Sequence, residues 1–172
     1  MDNASVLTIN KTKIIFLTQF GSLIGLSTLA PLFNQQFITG SIVNATLFIA
    51  VILLGSRAAI FIGLIPSVIA LSTGLLPPVI APMIPFIMVG NSILVLTFDY
   101  LKDKNYWLAI ITAGFFKFVF LFSTSSIVIN LLLNKEIAKA IALMMSWPQF
   151  LTALLGGIMA YYYFVKFYKN RN

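Results

Sequence analysis

Eight side chains stand out as candidates to hold a small molecule: the amides Asn34, Gln35, Gln36, Asn44, Asn91 and Gln149, the ammonium of Lys117 and the indole of Trp147. Amides donate and accept hydrogen bonds, an ammonium adds a charge and three donors, and an indole offers a flat apolar face. Together they could neutralise, orient and stack a small anion. Catalytic chemistry has far less to draw on. The chain has no cysteine, no histidine and only four acidic residues, two of which, Asp99 and Asp103, fall in one polar stretch. A thiol nucleophile, a disulfide and an iron-sulfur cluster are excluded, and acid/base or metal sites lack their usual ligands. No enzyme activity, metal or cofactor is expected.

The elements that must position these residues follow from composition. Hydrophobic residues make up 60% of the chain, charged residues 9%, and the mean hydropathy is +1.01. A soluble domain carries about a quarter charged residues, so this is an all-α, polytopic membrane protein. Its 172 residues form a single integral membrane domain, with prolines and glycines inside or at the edges of apolar runs and no linker. Crossing about 30 Å of hydrocarbon at 1.5 Å per residue sets the span length. Six spans are predicted, at about 14–33, 37–54, 58–76, 78–98, 106–133 and 137–165. The run from Phe37 onward is too long for one crossing, so Gly55-Ser56-Arg57 must reverse the chain. The first apolar run is about twice the length of a signal-peptide core and lacks an A-x-A site, which makes it a retained span.

Basic residues set the orientation, because lysine and arginine are retained in the cytoplasm. With the N-terminus inside, Lys11, Lys13, Arg57, Lys102, Lys104, Lys166, Lys169 and Arg171 are cytoplasmic and only Lys135 and Lys139 are outside. Both termini are then cytoplasmic. Tyr100, Tyr106, Tyr161, Tyr162, Tyr163 and Tyr168 gather at the same inner interface. The net charge of +7 is therefore topological, scattered over short loops, and no nucleic-acid surface is expected. Among the outer connections, the one between the third and fourth spans contains Pro77, Pro78, Pro82 and Pro85. It reads either as a folded loop or broken helix dipping into the bundle, or as a simple kinked helix start.

Lys117 lies in GFFKFVFLFSTSS, about ten residues into the fifth span and roughly 15 Å from the inner interface. A charge at that depth costs at least about 2.5–3.5 kcal/mol unless it is compensated. No carboxylate lies inside a predicted span, so an internal salt bridge is excluded. The remaining partners are Asn44, Asn91, carbonyls freed near Pro148, water, or an anionic ligand. Lys117 is thus either a counter-charge for a ligand or a lysine bonded to carbonyls and partly snorkelled inward. Ser123, Thr124, Ser125 and Ser126 would follow it along the cavity's outer wall, with helix packing the expected role of at least two. In SWPQ, residues 146–149, Pro148 frees the carbonyl of Met144 and Gln149 adds an amide, while Trp147 either faces a ligand or sits at the outer interface.

Two stretches, NQQFITGSIVNATLFIAVILLG and GLIPSVIALSTGLLPPVIAPMIPFIMVGN, together with the size and six-span pattern, resemble the substrate-binding S components of energy-coupling factor (ECF) vitamin transporters. The resemblance implies a six-helix bundle with an outward-opening pocket capped by loops, in a prokaryotic plasma membrane. It also implies a transmembrane coupling (T) protein and two ATP-binding cassette ATPases as partners for uptake of a micronutrient, and Lys117 adds the expectation that this substrate is small and anionic. In that family, small residues on the first helix pack on the coupling protein, and Gly21 and Gly25 are the nearest equivalent here. The residues agree that an engine must lie elsewhere, since there is no G-x-x-x-x-G-K-[ST] loop and no membrane carboxylate for ion coupling. The competing reading from another class is a small passive channel or facilitator with a lysine-lined pore.

Overall fold

Apolar runs in hydrocarbon must satisfy every backbone N–H and C=O internally, and this chain does so with helices. A computed structural model describes residues 3–74, 78–131 and 135–168. Pro77, Lys169, Arg171 and the expected span ends at 75–76 and 132–133 lie outside the described residues.

Helix α1 spans Asn3–Leu29 and tightens into a 3-10 turn at Ala30–Phe33. Asn34, at φ 52°, then reverses the chain into α2, Gln36–Leu54. Asparagine tolerates this left-handed conformation better than most residues. Gly55, at φ 86°, makes the expected reversal between α2 and α3, Ser56–Ser72, almost alone. A 3-10 segment at Pro78–Met83 leads into α4, Ile84–Leu101, with Pro85 in its first turn, where a missing N–H costs nothing. The remaining helices are α5 at Tyr106–Leu131, α6 at Lys135–Met144 and α7 at Pro148–Tyr168.

The all-α expectation holds among the described residues, with two differences in the spans. Five helical stretches are long and apolar enough to cross a membrane: Lys11–Phe33, Gln36–Leu54, Ala81–Leu101, Tyr106–Asn130 and Ile141–Phe167. The remaining apolar helix, α3, has 17 residues, or about 26 Å at 1.5 Å per residue, a little under the usual hydrocarbon thickness. The last span is also not continuous. It breaks between Met144 and Pro148, because proline lacks the N–H that would bond the Met144 carbonyl. The described part of the proline-rich connection, Pro78–Met83, is the 3-10 segment, and Met83 at its end is fully buried. There it packs with Leu121, Ile141 and Met145, which ties α6 to α5.

Helices α2 and α7 pack along each other more extensively than any other pair among the described residues, and small residues make their close approach possible. A Cβ on Gly156 would stand 2.7 Å from the backbone nitrogen of Ala45, 2.8 Å from the Asn44 Cβ and 2.9 Å from the Ser41 carbonyl. One turn away, a Cβ on Gly40 would meet Thr152 Cγ2 at 2.9 Å. Around this seam, Leu47, Phe48, Leu94, Phe98 and Ile110 form the main apolar core. At one end the Tyr106 hydroxyl donates to the Gly157 carbonyl at 2.5 Å, and its ring packs on Phe164 at 4.5 Å. The same end carries Lys102 bonded to Asp99, and Lys104 over the Tyr100 ring at 5.0 Å.

Gly156→Ala should lower the stability of the detergent-solubilised protein by about 1–3 kcal/mol, because the added methyl meets backbone that cannot move aside. Gly21→Ala, whose new Cβ would have nothing within 4 Å, should leave the melting temperature unchanged or raise it slightly. Paired thermal unfolding curves distinguish the two.

Candidate functional site

Lys117 sits near the middle of α5 and is only 3% exposed. Its Nζ donates to Asn44 Oδ1 at 2.6 Å and to Asn91 Oδ1 at 2.8 Å. The two asparagines come from different helices, α2 and α4, so the lysine bridges three elements of the bundle. An ammonium has three donors, and these bonds use two of them. Among the described residues no carboxylate pairs with it.

The second bond of each asparagine fixes which way its amide points. Asn91 Nδ2 donates to the Gly63 carbonyl at 3.0 Å, and a carbonyl can only accept. Its oxygen must therefore face Lys117. Gly63 permits this approach, since a Cβ there would stand 3.2 Å from the Asn91 Cβ and 3.3 Å from Leu47 Cδ2. Asn44 Nδ2 donates to Thr152 Oγ1 at 3.2 Å, while Thr152 donates its own proton to the Gln149 carbonyl at 3.1 Å. With its proton engaged, Thr152 can only accept, and the Asn44 oxygen is likewise turned to the lysine. Neutral dipoles thus hold the cation without cancelling its charge.

Lys117 borders a cavity of about 250 Å³, to which every helix from α1 to α7 contributes. This is about eight water volumes at ~30 Å³ each, room for a compact ligand. Asn91 and Lys117 border it from α4 and α5, and Pro66, Ser67 and Ala70 from α3. Asn34 and Gln35, both exposed, and Gln36 and Thr39 border it from the α1–α2 junction. Met144, Met145 and Gln149 complete it from the α6–α7 break. The carbonyl freed by Pro148 is taken up here: Met144 O accepts from Gln36 Nε2 at 2.6 Å and from Gln149 Nε2 at 3.0 Å. These two glutamines join the α1–α2 junction to the break and frame the cavity.

Six of the eight candidate residues therefore border one cavity: Asn34, Gln35, Gln36, Asn91, Lys117 and Gln149. Asn44 lies behind the lining and reaches it through Lys117. Trp147 is not in the lining; it is 56% exposed and its ring lies 5.7 Å from that of Phe37. The hydroxyl run also lies off the cavity. Thr124, Ser125 and Ser126 bond carbonyls of their own helix, at Phe120 and Phe122. Gly21 and Gly25 face open space, with nothing of this chain within 4 Å of a Cβ built there. Thr152 and Gly63, which support the two asparagines, and Ser27 and Thr39 in the lining are residues that sequence reasoning missed. A threonine four residues after a helix-starting proline, and a glycine three before a mid-helix proline, carry no signal without knowledge of the helices opposite.

A family model for the ECF transporter substrate-specific component matches residues 16–168. The match covers most of the chain, and the chain belongs to that family, whose members are substrate-binding subunits of membrane transporters. No curated protein and no solved structure matches the chain.

Asn91→Leu should cost about 1.5–3 kcal/mol of stability, the usual value of a hydrogen bond to a charged group. In the Lys117→Met background the same change should cost less. A double-mutant cycle on thermal unfolding should give a coupling energy of about 1–3 kcal/mol between the two positions; additive effects would mean that the ammonium is not held by Asn91.

Proposed function

We propose that this substrate-specific component captures a small, anionic micronutrient of the vitamin class in the cavity beside Lys117, with the lysine as counter-charge. The observation that carries this reading is a buried ammonium on the cavity wall with two neutral amide oxygens on two of its three donors and no carboxylate among the described residues. The amides offset part of the desolvation but leave the net charge in place. In a low-dielectric bundle that charge attracts an anion far more strongly than it would in water. Gln36 and Gln149, with Asn34 and Gln35 at the surface, would orient the rest of the ligand.

Family membership supports the wider assembly. The chain would work in a prokaryotic plasma membrane with its termini in the cytoplasm and the cavity facing outward, beside a transmembrane coupling protein and two ATP-binding cassette ATPases. The basic and tyrosine-rich end, with Lys102, Lys104 and Tyr106, is at the opposite ends of α4 and α5 from the cavity-bordering 3-10 and Asn34 region, which agrees with that orientation. The bare α1 face around Gly21 and Gly25 is open for close contact with a helix of the coupling protein. Uptake energy would come from the partner ATPases.

Gently purified protein should retain its ligand, so native mass spectrometry should record a bound small acid. Lys117→Met should weaken that acid at least tenfold, the loss expected for a charge-assisted hydrogen bond of about 1.5–3 kcal/mol. Unchanged affinity would remove the counter-charge role. In liposomes the chain alone should bind without transport, and flux of the acid through the purified chain would instead favour a facilitator.

A further inference from the structure

Several of the polar groups around the cavity have donors already committed within the chain. Ser27 directs its one hydroxyl proton at the carbonyls of Leu23 and Ile24, at 3.0 and 3.1 Å. Thr39 directs its proton at the Ala30 carbonyl, at 3.0 Å. Both hydroxyls can therefore only accept from a ligand. Gln36 and Gln149 each turn their NH2 to the Met144 carbonyl, which fixes their orientation, uses one N–H of each and leaves both Oε1 atoms as acceptors without a partner among the described residues. At the other extreme stands Lys117, a cation with one donor left. Ser67, Asn34 and Gln35 also border the cavity and carry donors as well as acceptors, so the bias lies in the groups with a fixed orientation: one positive donor at Lys117 and four acceptor oxygens at Ser27, Thr39, Gln36 and Gln149.

Its apolar surface is equally selective. The chain has 16 phenylalanines, six tyrosines and two tryptophans, yet no aromatic side chain borders the cavity among the described residues. Helix α5 shows this most clearly: Phe115, Phe116 and Phe122 are all about half exposed on its outer side, and only Lys117 is turned to the cavity. Flat heteroaromatic ligands gain binding energy by stacking on rings, and none is present here. The apolar contacts instead come from aliphatic and proline side chains and from Met144 and Met145, whose flexible thioethers fit irregular, saturated shapes.

We infer that the ligand is a compact, non-aromatic carboxylic acid whose chain carries hydroxyl or amide N–H groups. Its carboxylate meets Lys117, and its donors meet Ser27, Thr39, Gln36 and Gln149. The inference rests on the proposed role of Lys117 as counter-charge and adds the character of the other half of the ligand. A space of about 250 Å³ suits a small acid.

The test uses the full chain in detergent, freed of copurified ligand, with four probes titrated at neutral pH: 3-hydroxybutyrate, N-acetyl-β-alanine, butyrate and 4-aminobenzoate. The two donor-bearing aliphatic acids should bind at least tenfold more tightly than butyrate and 4-aminobenzoate. Thr39→Val, which removes an acceptor and leaves the Lys117 contacts in place, should narrow the gap between 3-hydroxybutyrate and butyrate severalfold. If 4-aminobenzoate binds as tightly as the aliphatic pair and Lys117→Met weakens it, the ligand class is wrong and the counter-charge role stands. If butyrate matches 3-hydroxybutyrate, or Thr39→Val leaves the gap unchanged, the acceptor wall plays no part and the inference fails. If no acid binds, or Lys117→Met binds them all equally well, the counter-charge role fails with it.

Discussion

A lysine ammonium buried in a membrane bundle without a carboxylate must be solvated by something neutral, and the architecture around Lys117 follows from that requirement. Asn44 and Asn91 supply the oxygens. Each is oriented by a partner able only to accept, the Gly63 carbonyl for one and the proton-committed Thr152 hydroxyl for the other. The arrangement differs in kind from a buried salt bridge. An ion pair would leave the site electrically neutral, whereas amides hold the cation in place and leave its field intact. For the anion site proposed here, the second solution is the useful one.

This solvation demands close helices, and close helices demand small residues. Asn44 can reach both Lys117 and Thr152 only because Gly156 lets α7 approach the backbone of α2 at Ala45. Asn91 reaches Gly63 because that position has no side chain to hold it away. Binding chemistry and bundle packing are therefore coupled. The break before Pro148 belongs to the same design, since it releases the Met144 carbonyl that Gln36 and Gln149 share at the cavity wall. Irregular backbone is tolerated at this depth because it lines a cavity and its polar groups are bonded.

Much of this was legible in the sequence because the bilayer penalises polar groups so heavily. The depth of Lys117, the absence of any carboxylate near it, and the short list of neutral partners led directly to Asn44 and Asn91. Proline's missing N–H similarly identified the Met144 carbonyl. What periodicity and span length could not supply was rotation. Trp147 and Gln149 are two residues apart, one in the break and one in the first turn of α7, and one faces Phe37 while the other borders the cavity. The hydroxyls after Lys117 are adjacent in sequence to a site residue yet bond their own helix, which lowers their need for any other partner. Thr152, Gly63 and Gly156 matter only through what lies opposite, and a single sequence does not record which helix that is.

The most direct measurement is an experimental structure of the protein with its copurified ligand bound. An anionic group of that ligand should lie within hydrogen-bonding distance, about 3 Å, of Lys117 Nζ, with the Asn44 and Asn91 contacts retained. A ligand held elsewhere in the bundle, or one whose charged group is turned away while the lysine remains bonded only to the two asparagines, would contradict it.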